Sequence, residues 1–207
     1  MEANQNFADQ VQSILQKLTK DGIYNAARGM SEMVGQLFTV TDPIISSVKF
    51  NEIPNLLGGP EIEAVGIYLR IEGMIRGQLM LIVPYPKALE LADLIMGESL
   101  GTTQSLGKIE RSALAELGNL TGSFFLNSIA DTTGVNIRPS PPAVIVDMVG
   151  AIMDIILATS DVLSEDVLMI QAKFLRDGHE TQADLWIIPD HQTIDTLAEK
   201  ATKKHEG

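Results

Sequence analysis

Four polar side chains on one stretch of the chain recur at a helical period and include a carboxylate and a carboxamide. Within KIERSALAELGNLTGSFFLNSIAD, from Lys108 to Asp131, Ser112, Glu116, Asn119 and Ser123 stand at i, i+4, i+7 and i+11. On a helix they fall within about 60° of arc and form a single polar stripe. A helix carrying this stripe would hold the Asn119 carboxamide, with its donor and its acceptor, and the Glu116 carboxylate one turn apart in solvent. The opposite side carries Ala113, Leu114, Leu117, Leu120, Phe124 and Phe125, which can pack on a core. Taken alone, the stripe is also what a solvated helix face looks like, since Glu and Ser are ordinary there. Asn119 is less ordinary, because asparagine is a weak helix former. Gly118 and Gly122 each weaken the helix by about 1 kcal/mol relative to alanine, and the expected return is close backbone approach to a neighbouring element.

Such a stripe is useful only if other elements hold the helix. Upstream, residues 7 to 37 read as helical, with Phe7, Val11, Ile14, Leu15 and Leu18 on one face. Gly22 is expected to break the pattern, and a second helix to run from Ile23 to Leu37 with Ala26, Ala27, Met30, Val34 and Leu37 inward. Three strands are predicted next. The stretch from Thr39 to Phe50 is rich in β-branched residues but holds Pro43, which marks an edge position or a strand that starts after it. Strands from about Glu61 to Ile71 and from Met74 to Val83 should pair through a tight turn at Glu72 and Gly73. Asn55 to Pro60 reads as a loop. Pro84 and Pro86 stop the third strand, and Pro86 opens a helix from Lys87 to Met96. The polar, glycine-bearing segment GESLGTTQSLG, Gly97 to Gly107, then forms a natural boundary.

The order recurs in the second half. After the stripe-bearing helix come Gly134, the prolines Pro139, Pro141 and Pro142, and a strand from Ala143 to Met148. Val149 to Thr159 is apolar at nearly every position and fits a strand or a helix, a short helix being preferred. Strands from Asp166 to Leu175 and Thr181 to Ile188 should pair across RDGH, where Asp177 and Gly178 are a hairpin signal. A helix from His191 to Lys203 closes the chain. The expected fold is α+β: one domain over residues 1–207, a pseudo-symmetric duplication with halves of approximately 7–97 and 107–203. A six-stranded, largely antiparallel sheet carries two long helices, with additional helices at the ends of each half.

Composition narrows the chemistry. The formal net charge is −12, with 15 basic residues against 27 acidic ones, which disfavours nucleic acid as a partner. There is no cysteine, so disulfides, thiolate catalysis and thiolate-bound zinc are excluded. The N-terminal MEANQNFADQ lacks the pattern of a signal peptide, and the longest apolar run, Val144 to Thr159, is interrupted by Asp147 and Asp154. The chain is expected to be cytoplasmic, with no membrane span. His179, His191 and His205 share no ligand spacing. Asp147 and Asp154 read as solvent-facing rather than as a catalytic pair, and Trp186 fits either a core or an interface. No phosphate-binding glycine loop, nucleophile elbow or zincin motif is present.

SALAELGNLTG, with Pro141 standing 21 intervening residues after Asn119, resembles the Asp/Ser, Glu, Asn, Pro motif of the CheC/CheX/FliY family of chemotaxis phosphatases. PPAVIVDMVGAIM resembles the CheC continuation after that helix, and NAARGMSEMVGQ, Asn25 to Gln36, resembles the first-half helix. CheC proteins often carry the Glu and Asn pair in both halves. Here the first-half positions fall on Lys17 and Lys20, so a degenerate first site and a single functional one are expected.

The resemblance implies a substrate, the aspartyl phosphate of a CheY-like response regulator. The regulator supplies the phosphoryl group, Mg²⁺ and a lysine, so no cofactor is expected on this chain. Asn119 would place the attacking water, a positioning effect of the kind that dominates phosphoryl transfer. Glu116 would pair with the regulator's lysine. Ser112 and Ser123 would support the site, and Pro141 would set the loop leaving the helix. A CheD-like deamidase is a second candidate partner. The rival expectation is a non-catalytic adaptor, binding a regulator or serving as a flagellar-switch-like scaffold.

Overall fold

The strand reading GQLMLIVP is apolar at nearly every position, so neither of its faces can lie against water. The computed structural model describes residues 19–29, 31, 32, 35, 37, 39–41, 43–159, 166–176 and 178–189, and in it that strand lies inside a sheet covered on both sides. The helical residues 19–29, 31 and 32 form α1. Strands β1 (Thr39–Val40) and β2 (Ile44–Lys49) follow, then a 3-10 turn (Phe50–Glu52) running into α2 (Ile53–Leu56). The hairpin β3 (Glu63–Gly73) and β4 (Gly77–Pro84) leads to α3 (Tyr85–Met96) and to the stripe-bearing α4 (Lys108–Thr133). Strands β5 (Ile137–Pro139) and β6 (Ala143–Met148), helix α5 (Val149–Thr159) and the hairpin β7 (Asp166–Arg176) and β8 (His179–Pro189) complete the described elements.

All pairings are antiparallel. Strands β1 and β2 both pair with β7, and β5 and β6 both pair with β3, so the eight strands fill six positions across the sheet. From one edge these are β1 with β2, then β7, β8, β4, β3, and β5 with β6. The order reads the same from either edge: a broken strand, the first strand of a hairpin, then its second strand. Each broken strand pairs with the hairpin of the other half, so neither half could complete its share of the sheet alone.

Alternation along the strands sends side chains to two cores. On one face Val65, Ile67, Leu69, Leu79, Leu81, Leu185 and Ile187 pack with Ile23 of α1, Leu91 of α3, and Leu117 and Phe125 of α4. On the other, Ala64, Met80, Ile82, Trp186 and Ile188 pack with Ile53 of α2 and with Ile152 and Ile156 of α5. Trp186 therefore belongs to the core, and the stretch after β6 is the helix α5. Pro43 stands where an edge strand tolerates it, between β1 and β2.

Several boundaries differ from the sequence reading. Gly22 does not break a helix: α1 runs through it, and the absent side chain lets the Phe125 backbone approach, since a Cβ would stand only 2.8 Å from the Phe125 Cα. Leu37 lies outside α1 and is 75% exposed rather than inward. The turn between β3 and β4 falls at residues 74–76, and Glu72 and Gly73 continue β3 to pair with Arg138 and Ile137 of β5. Gly73 has φ +123 and abuts the Asn136 carbonyl, so it marks the approach of a second strand. Phe50 begins the 3-10 turn and Asn55 lies within α2, where Pro54 in the first turn favours a helix start. Phe7, Val11, Ile14, Leu15, Leu18, Met30, Val34 and the helix expected from His191 to Lys203 lie outside the described residues.

Candidate functional site

Helix α4 is located from three sides. Its two glycines face the sheet: a Cβ on Gly118 would meet Ile67 Cγ2, and one on Gly122 would stand 3.2 Å from Leu69 Cδ2. The expected close approach is therefore to β3 and β4. On its flank α1 crosses closely, with Gly22 against the Phe125 backbone and Gly29 against the Phe124 ring. At its start the connector is tied down by Asp93, a fully buried carboxylate on α3. Its Oδ2 accepts from the Gly101 amide at 2.8 Å and its Oδ1 from the Thr103 amide at 2.9 Å. The Leu106 amide donates to the Tyr85 hydroxyl at 3.3 Å, and Arg111 Nε donates back to the Leu106 carbonyl at 3.0 Å. Gly134, at φ +70, ends the helix and turns the chain into β5.

The chain then passes in front of the stripe. Between β5 and β6, Ser140, Pro141 and Pro142 stand opposite only Leu69 and Arg70 of β3, a bulge of one extra residue. This break and α4 enclose an open groove of about 420 Å³. Ser112, Ala115, Glu116 and Asn119 line one wall, and Pro139, Ser140, Pro141 and Pro142 line the other. Ser112 and Glu116 are exposed and Asn119 is half-buried. Among the described residues, neither the Glu116 carboxylate nor the Asn119 carboxamide has a side-chain partner, so both are available to a visiting molecule.

The structure thus brings Ser112, Glu116, Asn119 and Pro141 together in one groove. Ser123 is half-buried and outside its lining. Lys17 lies outside the described residues. Lys20 is exposed on α1, its Nζ 5.9 Å from the centroid of the Tyr24 ring. Asp147 and Asp154 are both exposed, and the Asp147 carboxylate accepts from the Met148 amide at 2.8 Å. His179 opens β8, while His191 and His205 lie outside the described residues. Among the described residues, no group of three or more His, Cys, Asp or Glu side chains could hold a metal ion, and no helix is long and apolar enough to cross a membrane.

The sequence reading missed Pro139, Ser140 and Pro142 as lining residues, although the run PSPP is a visible signal: prolines cannot continue a ladder, so a sheet that contains them must open there. Asp93 was also missed. Nothing local in ELADLIM distinguishes a buried carboxylate from a solvated one.

Fold and groove define an α+β protein that presents a carboxylate and a carboxamide from one helix beside a proline-walled break in an antiparallel sheet. The sequence profile of the CheC-like family matches residues 109–146, which span both walls of the groove. The CheY-P phosphatase CheC of Bacillus subtilis is 26% identical over 188 residues, which cover 89% of this chain and 90% of that one. FliY of Thermotoga maritima has the same fold, with a TM-score of 0.72 and 19% identity over 94% of this chain and 97% of its own. The CheX-CheY-BeF3-Mg²⁺ complex of Borrelia burgdorferi matches with a TM-score of 0.52 and 18% identity over 83% of this chain and 96% of the matched one. The chain is thus similar to the CheC-like family in the segment that forms both walls of the groove, and to a CheC along most of its length.

Proposed function

We propose that this protein is a phosphatase that hydrolyses the aspartyl phosphate of a CheY-like response regulator. The observation that carries the reading is the groove: Asn119 and Glu116 lie on one wall, uncommitted to any other side chain among the described residues. The likeness to a curated CheY-P phosphatase over nine-tenths of both chains supports the choice of substrate.

In this mechanism the helix face docks on the regulator with the phosphoryl group at the groove mouth. Asn119 uses its amide oxygen and amide N–H to hold a water in line with the bond between phosphorus and the aspartate oxygen. The water oxygen bonds to phosphorus, that bond breaks, the regulator's aspartate leaves as a carboxylate, and inorganic phosphate is released. Glu116 pairs with a lysine of the regulator and fixes the depth and angle at which α4 enters. Mg²⁺ belongs to the regulator, where it neutralises charge on the phosphoryl oxygens. The proline wall limits where the phosphoryl group can sit. The internal duplication is part of the same reading: the palindromic strand order supports it, and the lysines at positions 17 and 20 leave α4 with the one working site. A CheD-like deamidase is a second candidate partner.

Phosphate release from a phosphorylated CheY-like protein with Mg²⁺ is the direct test. Asn119→Ala should reduce turnover by about a hundredfold, the scale of a lost positioning contact. A variant as active as the wild type sinks the mechanism. A wild-type chain that binds the phosphorylated regulator without releasing phosphate is an adaptor instead.

A further inference from the structure

Ser140 stands at the break in the sheet beside the groove, and its bonds replace those the prolines cannot make. Pro141 and Pro142 have no N–H, so a strand carrying them cannot continue the ladder with β3. Ser140 restores the missing pairing by itself. Its amide donates to the Arg70 carbonyl at 2.9 Å, and its Oγ accepts from the Arg70 amide at 3.0 Å. The hydroxyl proton goes to the Pro141 carbonyl at 3.1 Å. Ser140 is only 5% exposed, so each of these groups would otherwise be costly to leave unmatched. One side chain therefore clamps the proline wall to β3 at the point where it faces Asn119.

The same device recurs at the other edge of the sheet. The Thr41 amide donates to the Lys173 carbonyl at 3.0 Å, and Thr41 Oγ1 accepts from the Lys173 amide at 3.2 Å. Thr41 and Pro43 precede Ser140 and Pro142 by 99 residues, the separation that also relates Lys17 to Glu116 and Lys20 to Asn119. The first half thus has the clamp without the carboxylate and the carboxamide, and serves as an internal control for what the clamp does to the fold alone.

We infer that Ser140 is a positioning residue: by clamping the Pro141 and Pro142 wall to β3, it sets the spacing between that wall and Asn119. The inference rests on the phosphatase reading above. Without the hydroxyl the wall is free to drift from β3, and the phosphoryl group loses the surface that aligns it with the held water. In the full-length chain, Ser140→Ala should expose the Arg70 amide to faster hydrogen exchange and lower kcat by about tenfold or more, with a smaller change in KM. Ser140→Thr, which keeps the hydroxyl, should restore both. Thr41→Ala should lower thermal stability about as much as Ser140→Ala yet leave kcat unchanged. Unaltered exchange at Arg70 in Ser140→Ala, or a wild-type kcat in that variant, overturns the inference while leaving Asn119 intact as the water-positioning group. Equal loss of kcat in Thr41→Ala and Ser140→Ala also overturns it, because the clamp is then only a structural support. Failure of the phosphatase reading is seen separately, as absence of turnover in the wild type or full turnover in Asn119→Ala, and it removes the catalytic role of Ser140 with it.

Discussion

Placing a methyl group on each of the two α4 glycines should separate close packing from helix propensity, because the two positions respond with opposite sign. Either alanine gains about 1 kcal/mol of helix propensity. At Gly118 the new Cβ falls on Ile67 Cγ2 and lies 3.4 Å from Ile67 Cβ. Ile67 is fully buried and branched at Cβ, so its χ1 is stiff and the side chain has little freedom to rotate away from the intruder. Either α4 lifts or β3 shifts, and overpacking of this kind costs about 1–3 kcal/mol. Gly118→Ala should therefore be net destabilising by up to about 2 kcal/mol, at about 2–4 °C of Tm per kcal/mol in a chain of this size. At Gly122 the nearest atoms are the methyl ends of Leu69 and Leu79, at 3.2 and 3.5 Å, which can yield by a few tenths of an ångström. Gly122→Ala should fall between neutral and about 1 kcal/mol more stable than the wild type. Urea unfolding followed by tryptophan fluorescence is the assay, since Trp186 is the single tryptophan and is buried in β8. A midpoint for Gly118→Ala at or above the wild type, or a Gly122→Ala variant weaker than Gly118→Ala, refutes the packing argument.

Asp93→Ala should destabilise the chain by about 2–4 kcal/mol in the same titration, because it leaves without an acceptor two backbone amides that donate to it, one of them of the buried Thr103. Asp93→Asn should recover part of that loss through its remaining oxygen, and equal stability of all three proteins would refute the anchoring role. If the proposed docking holds, Glu116→Lys should raise the Kd for the phosphorylated regulator by about tenfold or more, because a like charge would then face the regulator's lysine. That is measurable by calorimetry, and unchanged affinity removes Glu116 from the docking surface. Lys20→Ala should leave phosphate release unchanged, and a loss of turnover would mean that the first half retains a working site.

The parts of the molecule that depend on local physics were legible in the order of residues. Periodicity placed α4 and its stripe, the Asp177 and Gly178 turn signal placed the hairpin of β7 and β8, and Pro43 marked an edge position or a strand that starts after it. These follow because helix and strand periods are properties of a short segment. The rest arose from contacts between segments far apart in the chain. Gly22 reads locally as a helix breaker, and it is the proximity of Phe125, a hundred residues away, that makes it the residue the helix needs. Gly73 reads as a turn, until Asn136 arrives beside it. The two-sided covering of the sheet was implicit in GQLMLIVP, yet which helices lie on which face depends on the crossed pairing of each broken strand with the other half's hairpin. The groove is of the same kind. Glu116 and Asn119 are legible on the helix that carries them, whereas the wall they face is made by Pro139 to Pro142 held to β3 through Arg70, and that meeting exists only once the sheet has formed.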